Sequence, residues 1–430
     1  MRVRGLPASF LPFLLIAGGL SACVPASKRT SESSLVSAPS VRVSNSPPVR
    51  ADASARPAAP AQPPASEVGA GVAAAVQSQL IDYAKCALPP RLANRGWPTE
   101  LSPTSEVEAA PAPPGTITLV ALPDTQYYAA CRSPHLARQA KWISDQASAR
   151  NVRAVIQLGD LTDHNTPEEW AFVRSAFAPL GEVVPLALAT GNHDHGEGGA
   201  AKRRGSLFTR YFGKLGVRST QALVETKLPG DAENAYYRVA LAKVTLGILV
   251  LEWGPRASSV AWANRVLEKY PSDRMILATH AYLYDDGTRY DWKTKGSAQE
   301  WNPIAYGTLD APSATAGAGG APSAGEAVYD GEMLWNDLVK RHRGFFLTLS
   351  GHVLGDGTGV LTSQGSAGNR VHQVLVNYQM LNEGGLGYLR LLELLPDGTT
   401  LRMKTYSPSL GRFATGPGEV GDLAIAPPLW

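Results

Sequence analysis

The sequence of 430 residues lacks most of the features that would assign it to a simple class. Gly and Pro are plentiful, at 42 and 33 residues, but follow no Gly-X-Y period, which excludes a collagen-like chain. Charged residues make up only 18% against 44% apolar, which excludes a coiled coil and a wholly disordered polymer. There is no internal repeat. After the first 23 residues no stretch approaches 18 uninterrupted apolar positions, so no membrane-spanning helix is expected there. Cysteine is scarce, with three residues. A basic folded surface is also lacking. The formal charge is +3, but Arg2, Arg4, Lys28, Arg29, Arg42, Arg50 and Arg56 precede position 76, opposed by Glu32, Asp52 and Glu67. That leaves 33 basic and 34 acidic residues from 76 onward, so nucleic acid is not an expected partner. One large or two medium globular domains remain.

The first residues have the parts of a secretory leader: Arg2 and Arg4, then an apolar run from Phe10 to Leu20, then small residues. Eleven apolar positions are too few to cross a hydrocarbon core about 30 Å thick. Leu20-Ser21-Ala22-Cys23 resembles a bacterial lipobox, which implies lipidation of Cys23, with palmitate in the anchor, after removal of residues 1–22. Ordinary secretory cleavage beside a chance cysteine is the alternative. Residues 23–75 are rich in Ala, Pro and Ser, as in Ala51–Pro64, and have too few large apolar groups to offset their ordering entropy. They are expected to form an extended, disordered tether. Val24 is not the Asp of an inner-membrane retention signal, so an extracytoplasmic position on the outer membrane is preferred. Cys86 and Cys131 are then expected to pair as a disulfide, pinning a pre-domain segment (76–115) onto the core. Two free thiols, or Cys131 as a site residue, remain as rivals.

From Thr116 the pattern becomes an alternation of apolar strands and amphipathic helices. Thr116–Leu122, Val152–Leu158, Val183–Ala189, Val244–Leu251, Met275–Thr279 and Phe345–Ser350 read as strands. Helices are expected over His135–Arg150, from a capping box at Thr166-Pro167-Glu168-Glu169, and at about Ser259–Lys269 and Gly331–Arg341. This is an α/β layered domain. Ala311–Gly325 is a low-complexity insertion, and Val371–Asn377, Gly387–Leu394 and Thr400–Tyr406 are strands expected to extend or cap the sheet. Five strands end in polar clusters: Asp124-Thr125-Gln126, Gly159-Asp160 with Asp163, Gly191-Asn192-His193-Asp194, His280, and Gly351-His352. Ligands of open α/β sheets bind beyond the carboxyl ends of the strands. Oxygen and imidazole donors gathered there suit divalent Mn, Fe, Zn or Co.

Asp124, Gly159-Asp160, Gly191-Asn192-His193-Asp194, His280 and Gly351-His352 together resemble the calcineurin-like metallophosphoesterase family, over about residues 116–355. The resemblance implies a four-layer αββα sandwich, followed here by a β-rich C-terminal extension (356–430), and a centre of two divalent metal ions. It implies that Asp160 bridges the ions, that Asn192, His280 and His352 complete one position, and that Asp124 belongs to the other. It also implies that His193 is the general acid, oriented by Asp163.

Two departures stand out. Asp124-Thr125-Gln126 replaces the usual Asp-x-His, and Gly351-His352-Val353-Leu354 replaces Gly-His-x-His. Both missing imidazoles belong to the Asp124 ion, for which Gln126 offers an amide oxygen. One firm and one weaker site are expected, the weaker shifted toward Mn or Mg. His135, His164, His195 and Asp356 lie near the motifs and could in principle fill the gap. The expected activity is metal-dependent hydrolysis of a phosphate mono- or diester, on a phosphorylated small molecule or a lipid headgroup. A surface lipoprotein that binds metal structurally and engages a partner is the alternative. The sequence does not indicate an oligomeric state.

Overall fold

The computed structural model describes Leu92 and residues 95–213, 216–241, 243–308 and 326–430. The expected leader, Cys23, the tether, Cys86 and the insertion at 311–325 lie outside the described residues. Among the described residues no helix is long and apolar enough to cross a membrane.

Two sheets are built in succession, and the chain then returns to the first. Thr104–Ser105 (β1), Ile117–Leu122 (β2), Val152–Gln157 (β3) and Leu186–Leu188 (β4) begin one sheet. Leu223–Thr226 (β5), Ala235–Ala240 (β6), Thr245–Val250 (β7), Arg274–Ala278 (β8), Phe345–Ser350 (β9), Thr358–Gln364 (β10) and Arg370–Val376 (β11) form the other. Leu389–Leu394 (β12), Thr400–Ser407 (β13), Arg412–Ala414 (β14) and Val420–Ala424 (β15) complete the first. Its order is β1-β14-β13-β12-β2-β3-β4, with β15 also on β13, and the second runs β10-β11-β9-β8-β7-β6-β5. Strands β2, β3 and β4 are mutually parallel, as are β7, β8, β9 and β11. The strands expected beyond 356 extend both sheets: β11 lies outside β9, and β12 pairs antiparallel with β2 and with β13, while β10, which the sequence pattern does not mark, pairs with the outer side of β11.

Side chains alternate across a strand, so each sheet has two faces to bury. On β2, Leu119 and Ala121 enter a core shared with Ile248, Val250, Ile276 and Leu349 of the second sheet. Val120 and Leu122 point the other way, against Leu136, Ile143, Trp170 and Phe177. Those residues lie on helices Pro134–Gln146 (α2) and Pro167–Val183 (α3), which follow the short helix Gln126–Cys131 (α1). Behind the second sheet, Leu249 and Leu277 pack on Trp262 and Val266 of Ala257–Lys269, and on Leu334 of Gly331–Asp337. Each large apolar side chain so buried contributes roughly 1.5–3 kcal/mol. Neither face of a central strand is therefore left to solvent, and the layers are α, β, β, α. Mixed α/β sandwich architecture is what the sequence pattern implies.

The capping box is present: Thr166 Oγ1 accepts from the Glu169 amide, and Glu169 accepts from the Thr166 amide. Two boundaries differ from the sequence reading. The strand expected over Val183–Ala189 is only Leu186–Leu188, because α3 continues through Val183 and Pro185 offers no donor for the ladder. The helix expected to reach Arg341 ends at Asp337, and a 3₁₀ turn covers Val339–Arg341.

Candidate metal centre

The parallel strands of both sheets end at one edge, and their next residues meet there. His280, after β8, and His352, after β9, face each other with Nε2 of the first 3.1 Å from Nδ1 of the second. Each ring's other nitrogen donates to a backbone carbonyl at 2.8 Å, His280 Nδ1 to Leu158 and His352 Nε2 to Trp301. With both rings neutral, those bonds fix the tautomers and leave the two facing nitrogens free to act as lone-pair donors. Asp160 Oδ2 stands 3.2 Å from His280 Nε2. Donor atoms of Asp160, His280 and His352 all lie within 4.8 Å of one another, and all three residues are buried. Asn192 is buried as well, and its Oδ1 has no hydrogen-bond partner among the described residues. Opposed lone pairs, a carboxylate and an orphaned amide oxygen are what a divalent cation would join, and backbone carbonyls behind metal-ligating histidines are the usual orienting partners.

Electrostatics within the cluster are strong. Burial alone would raise the Asp160 carboxyl, but His280 and His193 outweigh it and hold its pKa well below the ordinary value. Burial would lower His280, but Asp160 and Asp124 lift it to about 9. Burial, then the charge on His280, pushes His352 down to about 3.

The motif glycines are explained by close approach. Gly159 has φ +101°, and a methyl there would lie 2.4 Å from His280 Nδ1. A methyl on Gly191 would lie 2.1 Å from Asp160 Oδ1, and one on Gly351 would lie 2.1 Å from Asp124 Oδ1. Asp160 and His352 themselves adopt left-handed φ values, +51° and +74°, a conformation that bulky residues hold only where surroundings enforce it. Asp194 supplies part of that enforcement. Its buried carboxylate accepts from the amides of Leu161, Thr162 and Gly191 and from the Thr162 hydroxyl, tying two of the loops together.

Asp124 is buried beyond β2. It accepts from the His352 amide at 3.0 Å and from Asn377 Nδ2 at 3.1 Å. Burial drives its pKa up to about 8. Gln126 opens α1, fully buried, and neither atom of its amide has a partner among the described residues.

The family model for calcineurin-like phosphoesterases matches residues 117–305. This stretch is a calcineurin-like phosphoesterase domain. A Bacillus subtilis protein described only as the uncharacterized protein YvnB is 28% identical over 305 residues, which cover 68% of this chain and 20% of that protein. The chain thus spans about a fifth of the length of that curated relative. Among solved structures, purple acid phosphatase PPD1 from yellow lupin seeds aligns with TM-score 0.39 and 16% identity, over 76% of this chain and 54% of its own. The NAD nucleotidase of Haemophilus influenzae aligns with TM-score 0.31 and 10% identity, over 72% of this chain and 49% of its own.

In the phosphoesterase domain, His193 sits in a cleft of ≈ 690 Å³ that Asp160, Asn192 and His352 also line. Its Nδ1 donates to the Asp163 carbonyl at 2.9 Å and stands 3.1 Å from that residue's carboxylate, while its amide donates to Asp160 at 2.9 Å. Burial opposes protonation of His193, but Asp160 and Asp163 raise its pKa to about 10. Asp124, Asp160, Asp163, Asn192, His193, His280 and His352 thus meet at this edge, and Gln126 follows Asp124 at the start of α1. Cys131 does not line the cleft: it is buried at the C-terminal end of α1. Tyr127 lines the cleft, whereas Tyr128 is buried and its hydroxyl accepts from the Gly387 amide.

Sequence reasoning missed five contributors. Asp194 is in a motif but was given no role. The Trp301 carbonyl, which orients His352, belongs to a loop with no pattern. Asn377 and Gln379 follow β11, a sixth strand end at the same edge, and the polar residues after an apolar run were the available signal. Arg95, from the pre-domain segment, also lines the cleft, paired with Glu300 at 2.7 Å and lying over Trp97 and Trp301.

Proposed function

We propose that this chain is a metal-dependent phosphoric ester hydrolase acting outside the cytoplasm. The observation that carries the reading is the His193–Asp163 pair beside the Asp160, His280 and His352 cluster, because a purely structural metal site needs no proton donor in its cleft. The donor set fits a divalent cation through Asp160, Asn192, His280 and His352, with Asp124 and Gln126 on the far side. A cation bound there supplies Lewis acidity toward a phosphoryl oxygen and acidifies water. The chain's own residues do the rest. Asp163 accepts from Nδ1 of His193 and fixes the ring, leaving Nε2 to give a proton to the departing alkoxide oxygen. The Asp160 carboxylate holds the His193 amide, so donor and cluster keep one spacing.

The folded part carries no basic excess, so attraction for an anionic ester comes from the centre rather than the surface. Trp301, Tyr306 and Arg95 on the cleft wall suit a substrate with an apolar or planar group next to its phosphate, either a small molecule or a lipid headgroup. Lipidation of Cys23 would anchor the domain to the outer membrane, and a Cys86–Cys131 bridge would clamp the pre-domain segment; both readings are supported by the sequence pattern.

Full-length protein supplied with Mn is expected to turn over one class in a panel of p-nitrophenyl mono- and diesters, and His193→Ala to lower kcat by about 10²–10⁴. Unchanged turnover in that variant would remove the proton-donor role. Failure on every ester with metal bound would favour a metal-holding surface protein instead.

A further inference from the structure

The cation position on the Asp124 side lacks imidazole ligands, and the histidines and acid closest to the motifs in sequence are used elsewhere. His135 bonds Ser409 and Glu383, and His164 bonds Glu169. His195 contacts the Arg204 carbonyl, and Asp356 caps the Thr358 amide. Leu354 is a buried apolar residue in the cleft wall.

Strand β11 fills this side of the edge. It is the parallel neighbour of β9, with Leu375 opposite Ser350, so the segment after Val376 emerges beside Gly351-His352. The first residue out is Asn377, whose side chain works in two directions. Its Nδ2 donates to Asp124 Oδ2 at 3.1 Å, and its Oδ1 accepts from the Gln379 amide at 3.0 Å. Asn377 thereby fixes the backbone of Gln379 relative to the Asp124 carboxylate. Gln379 is only 6% exposed and lines the same cleft as Asp160, yet its Oε1 has no hydrogen-bond partner among the described residues. Gln126 is in the same condition. A buried amide oxygen left unbonded costs about 1–3 kcal/mol; one of these follows Asp124 by two residues in the chain, and the other follows its hydrogen-bond partner Asn377 by two.

We infer that Gln379 and Gln126 complete an all-oxygen cation position with Asp124 and the shared Asp160, and that Asn377 is its positioning residue. Two carboxylates and two amide oxygens are hard ligands, so this position takes Mn or Mg in preference to Zn, whereas the imidazole-rich position accepts Zn or Fe. The centre is then heterogeneous by construction. The inference rests on the metal-centre reading above but not on any substrate.

The test is a calorimetric titration of metal-stripped full-length protein with Mn, paired with low-temperature electron paramagnetic resonance of the loaded protein. Wild type is expected to bind two Mn per chain with a spin-coupled signal. Gln379→Leu should weaken only the second Mn, by at least about tenfold, and replace the coupled signal with that of isolated Mn. Gln379→Glu, which keeps the length and adds a charge, should tighten the second Mn, and it decides the matter if the leucine variant misfolds. Two Mn bound equally well in wild type and both variants would overturn the inference while leaving the first site standing. Absence of any tight cation in wild type would overturn the centre as a whole.

Discussion

Gly191→Ala is the smallest change that should disable the centre. The added methyl would stand 2.1 Å from Asp160 Oδ1 and 2.4 Å from the Asp160 amide nitrogen, against an ordinary contact of at least 3.4 Å. The amide belongs to a loop whose own left-handed residue leaves it little freedom, so the carboxylate must swing away by about 1 Å. That movement breaks its bond from the His193 amide and separates it from His280, removing the only carboxylate of the three-residue cluster. Loss of a charged ligand is expected to weaken the first cation at least about a hundredfold, or about 2.8 kcal/mol. The overpacking itself should cost about 1–3 kcal/mol of stability. Titration of stripped protein with Zn measures the first quantity and thermal unfolding the second. Gly421→Ala is the control, since nothing lies within 4 Å of its added carbon. If Gly191→Ala bound the first cation within threefold of wild type, the reasoning from close approach would be refuted.

Other substitutions probe separate parts of the account. Asp163→Asn should lower kcat by about 10- to 100-fold with little change in KM, because it weakens the orientation of His193 without touching the metal cluster; steady-state kinetics at saturating Mn checks this. Leu354→His adds an imidazole to the cleft wall on the Asp124 side and should tighten the second cation, read by the same titration. Glu252 gives a pH signature away from substrate chemistry. Burial would raise its pKa, but Arg256 at 2.8 Å and Arg204 at 3.7 Å draw it down to about 2, and Ser259 donates to it. A depressed carboxylate pKa contributes stability that is present above about 4.5 and lost as pH falls toward 2, amounting to about 3 kcal/mol. Denaturant melts of Glu252→Gln should therefore lie well below wild type at pH 7 and approach it near pH 2.5.

The site was more legible in the sequence than the fold that carries it. Parallel strands buried on both faces read as unbroken apolar runs, as in β2, β3 and β9, so the polar residues that follow them stand out. The glycines before Asp160, Asn192 and His352 mark the same positions, because side chains of the centre fill the space where a Cβ would go. Strands β5, β6 and β10 were not legible. Their burial is mixed, and alternating or partly exposed residues carry a weak signal. The start of β4 was misplaced because Val183 and Val184 look like strand residues, yet the capped helix α3 runs on to Val183. Asn377 and Gln379 escaped notice for a different reason. A single amide after a strand looks like a turn residue, and only the pairing of β11 with β9 brings it to Asp124. The Trp301 carbonyl has no sequence signal, since its role belongs to backbone geometry.

Dependence of hydrolysis on a cation held by Asp160, Asn192, His280 and His352 is read out by one titration. Metal-stripped protein is returned to activity by stepwise addition of Mn, with bound metal and p-nitrophenyl ester turnover measured on the same samples, for wild type and His280→Ala. No turnover is expected without metal, with recovery in step with bound Mn in wild type and no recovery at the same concentrations in His280→Ala. Turnover that survives complete removal of metal, or that returns equally in His280→Ala, would contradict that dependence.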